Sequence, residues 1–135
     1  MNDETHTLPF HHDDHGTHET ALTVRDLDDD YLLSCKLPTT GEVITAQAAD
    51  CYAALQGIRR KTEGRGWSIH CLGARRNVWP SAMSRQMGGG EKAYQLNMGQ
   101  QATEIVCIFD ADSNPDGSSV AEQEAYSQNW LKSLG

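Results

Sequence analysis

The chain has 135 residues, a formal net charge of −8 and 38% hydrophobic residues, the size and balance of one domain that folds without staples. No apolar run approaches the ~20 residues that cross a bilayer, and Met1-Asn2-Asp3-Glu4 lacks the basic and apolar regions of a secretory signal, so a cytoplasmic protein with no membrane partner is expected. The four cysteines form no CxxC pair and fall inside apolar patterns, which fits small buried hydrophobes better than disulfides.

Residues 1–18 carry five histidines and little apolar content, and they are expected to form a His/Asp-rich arm outside a single domain over residues 19–135. Leu22 and Val24 alternate with polar residues as a strand does. Tyr31–Leu37 and Glu42–Ala46 then flank Pro38-Thr39-Thr40-Gly41 as the arms of a hairpin. Asp50 opens a helix in which Cys51, Leu55 and Ile58 share a face, with Arg59-Arg60-Lys61 near its end and Gly64 just beyond.

Trp67, Ile69 and Cys71 alternate as a strand, and Gly73–Gly90 is polar and irregular, with room for a short helix after Pro80. Strands are predicted over Lys92–Met98 and Glu104–Phe109, and a closing helix from about Val120 to Leu134. In that helix Ser119 and Glu122 match a capping box and Tyr126, Trp130 and Leu134 lie on one face. The fold class is therefore α+β, a mostly antiparallel sheet of about five to six strands with two main helices packed on it.

Charge is segregated along the chain. Residues 1–30 hold nine acids and only Arg25, whereas residues 59–92 hold eight bases against Glu63 and Glu91. Residues 104–124 carry acids and no base. Such segregation favours charged partners over nonspecific surfaces, but the acidic whole and the absence of a binding motif argue against nucleic acid.

Several constellations have ligand chemistry in a weak setting. His11-His12-Asp13-Asp14-His15-Gly16-Thr17-His18 offers donors for Zn, Ni or Cu, yet a flexible arm loses entropy on chelation, and a solvated arm explains the same residues. Asp112, Asn114, Asp116 and Gly117 follow a calcium-loop pattern, but Gln123 stands at its closing position, and a turn into the last helix accounts for them without an ion. Gly88-Gly89-Gly90 lacks the Gly-Lys-Ser/Thr of a phosphate loop. Ser81, Ser84, His70 and Cys71 sit in no recognisable nucleophile context. No cofactor fingerprint is present, and no metal or catalytic residue is assigned.

The run Gly66–Tyr94, with Arg76-Asn77, Pro80-Ser81 and Ser84-Arg85 inside it, and the segments Ile108-Phe109-Asp110 and Trp130-Leu131-Lys132-Ser133-Leu134 resemble small bacterial proteins encoded near Rhs-type and related polymorphic toxins. The resemblance covers roughly residues 50–135. It implies an immunity protein, which binds a cognate toxin domain and blocks it without catalysis. The acidic patch Asp26, Asp28, Asp29, Asp30 and Tyr31 is the expected contact, with Arg76, Asn77, Ser81 and Arg85 as a second candidate surface. The rival expectation is a small enzyme or ligand-binding domain that takes a phosphorylated or nucleotide ligand on Arg75–Gly90.

Overall fold

The computed structural model describes residues 3–135. Eight strands form two antiparallel sheets, with two main helices and one short one, an α+β fold. The larger sheet has the order β4-β3-β2-β1-β5 and comprises β1 (Asp3–His12), β2 (Gly16–Asp26), β3 (Tyr31–Lys36), β4 (Val43–Ala48) and β5 (Trp67–Ile69). Its inward face is a period-two selection from each strand. Leu8 and Phe10, Leu22 and Val24, Leu33 and Cys35, and Ile44 and Ala46 are buried, and the register sets Leu22 against Cys35 and Leu33 against Ala46.

Helix α1 (Cys51–Glu63) lies on that face. It starts where Asp50 accepts a 2.8 Å hydrogen bond from the Ala53 amide, and Arg60 and Lys61 sit in the last turn, where the helix dipole favours cations. Tyr52, Leu55 and Ile58 are fully buried in the core.

The arm expected over residues 1–18 is instead structure. Asp3–His12 pairs with β2 along its whole length and with β5 from Phe10 to His12, which makes it an interior strand; Met1 and Asn2 lie outside the described residues. The physical reason is the alternation of Leu8 and Phe10, both wholly buried, beneath a polar surface of Thr and His. The turn Asp13-Asp14-His15-Gly16 supplies the hairpin, with Gly16 at φ +75°.

The smaller sheet, order β6-β7-β8, contains β6 (Val78–Trp79), β7 (Lys92–Gln95) and β8 (Glu104–Cys107). A 3-10 turn at Leu72–Ala74 joins it to the first sheet. The Leu72 amide donates to Asp110 O, Gly73 to Ile108 O and Asp112 to His70 O. The short helix α2 (Ala82–Met87) follows Pro80 and is capped by Ser81. Helix α3 (Val120–Ser133) begins with a reciprocal capping box between Ser119 and Glu122.

Only Val120 and Gln123 of α3 are buried, and Tyr126 and Trp130 are half-buried on the face that was expected to be apolar. The helix is held by polar groups. The Gln123 carboxamide accepts from Arg59 at 2.6 Å and donates to the carbonyls of Gly73 and Arg75 at 2.8 Å, while Arg59, 2% exposed, also reaches Ala74 O and Ser118 O. Among the described residues no helix is long and apolar enough to cross a membrane.

All four cysteines are free. Burial pushes the thiols of Cys35 and Cys71 up to about 11 and that of Cys51 up to about 12, whereas Cys107 is half-buried. The thiolate is the reactive form, so an aromatic disulfide reagent at pH 8 should label Cys107 first and the other three only on unfolding. Rapid labelling of Cys35, Cys51 or Cys71 in the native protein would contradict this packing.

Candidate functional site

Topology gathers carboxylates at one end of the larger sheet. There β1 begins, β2 ends, β3 begins and β4 ends, and the start of α1 follows directly, so Asp3, Glu4, Asp26, the turn Asp28–Asp30 and Asp50 arrive together although they are scattered in sequence. The turn is a built structure. The Asp28 amide donates to Asp26 Oδ1 at 2.8 Å, Leu27 N to Asp30 O at 2.8 Å, and Gln47 Nε2 to Asp30 Oδ2 at 2.9 Å. Asp28 has φ +75°, a left-handed conformation that Asp and Asn tolerate better than most residues. Asp26, Asp28 and Asp29 are exposed.

Tyr31, half-buried, stands at the centre of this end. Burial raises its phenol pKa first, and the negative charges of Asp26, Glu91 and Asp50 add to the effect, so it stays a neutral donor. The same field, from Glu91, Asp50, Glu4 and Asp26, bears on the neighbouring Cys51 thiol. Glu4 and Glu91 therefore lie close to the patch and buried Asp50 sits beneath it, although the linear sequence marks only residues 26–31.

The glycine loop closes on the same place. Gly89, at φ +66°, accepts a 2.7 Å hydrogen bond on its carbonyl from the Cys51 amide, and a Cβ there would stand 2.5 Å from the Tyr31 hydroxyl. Arg85 is drawn inward: Nη1 lies 3.4 Å from Asp50 Oδ2 and the guanidinium stacks over Tyr52 and Trp79. Asp26, Asp28–Asp30, Tyr31 and Arg85 thus come to one end of the molecule.

The other named residues lie elsewhere. Arg76 stacks on Tyr126 of α3 and its amide donates to Asp116 Oδ2 at 2.9 Å. Asn77 exchanges hydrogen bonds with Leu96, its Nδ2 donating to Leu96 O and its carbonyl accepting from Leu96 N. Ser81 Oγ accepts from the Ser84 amide at 3.0 Å. Arg75 pairs bidentately with buried Asp112, both contacts at 2.7 Å, and this bond holds the Asp112 carboxyl below its ordinary range. Asp112 also accepts from the Asn114 amide and Asp116 from Ser118, so these carboxylates organise the turn before α3.

At the opposite end of the sheet, His12, His15 and His18 pack around Trp67, with ring centroids 5.1, 6.1 and 5.8 Å from it. Their nitrogens serve local structure: His12 Nδ1 accepts from the Asp14 amide and His18 Nε2 bonds His15 O. His11 stacks on His70 at 5.7 Å beside an open cleft of about 480 Å³ that Ser68, Glu63 and Asp13 also line. Burial first, and the His11 ring next, lower the His70 pKa and keep that imidazole neutral. The histidines are a shell over an indole, which the composition alone did not disclose; a lone Trp67 after a helix-ending Gly64-Arg65-Gly66 was the available signal.

No family model matches the sequence, and no curated protein is significantly similar to it.

Proposed function

We propose that the protein is an immunity protein that neutralises a cognate toxin domain by tight binding, its acidic end seated in a basic cleft of that toxin. The supporting observation is that the exposed acidic turn Asp26–Asp30 leads directly into Tyr31, an aromatic with a neutral hydroxyl on which the charges of Asp26 and Glu91 also bear. Carboxylates on one end steer encounter with a basic surface, and a half-buried tyrosine supplies an anchor of low conformational entropy. Binding alone suffices for this role. The arginines that a phosphate-binding reading requires are already engaged, Arg75 by Asp112, Arg76 by Tyr126 and Arg85 by Asp50, Tyr52 and Trp79.

The test begins with a toxin domain captured by pull-down with the natively expressed protein, then purified and mixed with it in stopped flow. Changing Asp28, Asp29 and Asp30 together to Asn retains the turn, because Asn accepts the same hydrogen bonds and the same φ. The triple variant should associate about tenfold more slowly at low ionic strength, with a flatter salt dependence. An unchanged rate and salt slope would remove the acidic end from the interface, and absence of any inhibition by the wild-type protein would remove the immunity role.

A further inference from the structure

The second half of helix α3 meets the smaller sheet along an aromatic seam. Trp79 of β6 and Tyr94 of β7 are direct cross-strand partners, so they stand on one face of that sheet. With Pro80, Trp130 and Leu134 they line an open cleft of about 370 Å³. Trp79 and Trp130 are also walls of a second hollow, of about 430 Å³, beside Leu131. The two shared indoles join both hollows into one groove, in which the three aromatic rings are half-buried and Leu131 is 66% exposed. Its walls are fixed in advance. Trp130 Nε1 donates to Gln100 O at 2.9 Å, the Gly99 amide donates to Ser133 Oγ at 2.8 Å, and the Trp79 ring packs on buried Tyr52 with centroids 5.4 Å apart. A groove held this way loses little freedom when it is filled.

The lining defines the occupant. Among the described residues no charged side chain lines the larger hollow, and the one acid of the smaller, Glu124, is paired with Arg60. Both hollows are mostly apolar, with a few hydrogen-bonding groups in their walls, as ligand sites are. Among the described residues no acceptor meets the indole N–H of Trp79 or the carboxamide N–H groups of Gln101 and Gln128, which line the groove. A fitting ligand therefore presents apolar bulk together with bare carbonyls. A helix spends its carbonyls internally, and a strand docks on a sheet edge rather than on a face. A polyproline II segment carries apolar rings and leaves its carbonyls open. We infer that the groove between α3 and the smaller sheet is a docking site for an uncharged, proline-rich segment of another protein. Its pyrrolidine rings pack on Trp79, Tyr94 and Trp130, and the Trp79 indole and the Gln101 and Gln128 carboxamides donate to its carbonyls. The site does not rest on the immunity reading.

The experiment uses the full chain labelled with nitrogen-15 and three uncharged probes: a capped peptide of about ten prolines, a glycine–serine peptide of equal length and a neutral glucose oligomer. The chain has three tryptophans, so three indole N–H signals report. With the proline peptide those of Trp79 and Trp130 should shift, while that of Trp67, buried beneath the histidines, should stay. The glycine–serine peptide should shift none. L131D/L134D, at exposed positions in the two hollows, should weaken proline-peptide binding at least about tenfold and leave the far-UV circular dichroism unchanged. Trp79→Phe, which keeps a ring and removes the N–H, should weaken it by about three- to tenfold. No shift with the proline peptide up to millimolar concentration, equal shifts with the glycine–serine peptide, or undiminished binding by either variant overturns the proposal. A response to the glucose oligomer alone overturns it as well, since the groove would then be a sugar site. So does a dimer of the free protein in sedimentation that L131D/L134D abolishes, because the occupant would then be a second copy.

Discussion

Removing residues 1–12 should leave a chain that no longer unfolds cooperatively. The deletion takes out an interior strand, strips β2 of its partner from Gly16 to Arg25, frees β5, and removes the wholly buried Leu8 and Phe10. Phe10→Ala alone should cost about 3–5 kcal/mol, the usual range for emptying a buried phenylalanine site. Against a total stability on the order of 5–15 kcal/mol, that single change brings the domain close to its limit. Thr5→Ala, on the exposed face of the same strand, should stay within about 0.5 kcal/mol. Urea titrations followed by far-UV circular dichroism measure all three. A truncated chain that kept a transition near the wild-type midpoint would show that β1 is not part of the core.

The second large effect is expected at Gln123→Leu. The substitution is close in volume, so lost packing contributes little, but it leaves the buried Arg59 guanidinium without its shortest acceptor and the Gly73 carbonyl without its side-chain donor, while the Arg75 carbonyl keeps only the Val78 amide. A buried cation that loses a partner, with one orphaned carbonyl beside it, should destabilise by about 3–5 kcal/mol. Helix α3 should then detach from its C-terminal end before the rest unfolds, since beyond the Val120 amide to Glu63 Oε1 at its start the ties that remain, such as Trp130 Nε1 to Gln100 O and the Gly99 amide to Ser133 Oγ, are exposed. Limited proteolysis should cleave within α3 in the variant and spare the wild type. Adding Arg59→Met should recover part of the loss, because the charge that lacked a partner is gone. A cost below about 1 kcal/mol for Gln123→Leu would mean that water replaces the carboxamide, and that α3 is held by other groups.

What was legible in the sequence is what depends on near neighbours. Asp50 and the Ser119–Glu122 pair cap helices through bonds that span three residues, so their meaning is local and the structure places each at a helix start; Ser81, read only as a surface candidate, proves to be a cap as well. Pro38–Gly41 announces a turn in the same way, with Thr39 and Gly41 both at positive φ. The α+β class followed from the order of such signals. Strand β1 escaped because its apolar pattern amounts to Leu8 and Phe10 with a proline between them, and proline ordinarily argues against an interior strand. The exception has a reason. Pro9 directs its carbonyl to the His70 amide on the β5 side, where the ladder is already ending, so the missing N–H forfeits no strand partner.

Arg59 and Gln123 were unreadable for another reason: nothing local distinguishes one arginine in Arg59-Arg60-Lys61, and the glutamine that answers it lies 64 residues away. The acidic candidate site stood between these cases. Its run at Asp28–Asp30 is plain in the sequence, but Glu4 and Glu91 join it only through the antiparallel register and the glycine loop.

The place of β1 also dictates a timetable. Its hairpin with β2 is local and forms among the earliest contacts, whereas its other edge waits for β5, with His11 and Ser68 meeting across 57 residues. Until Trp67–Ile69 arrives, the hairpin carries an unpaired edge and an uncovered phenylalanine, so the growing chain stays adhesive until about half of it has been made and becomes self-contained only once α1 has turned it back toward that edge.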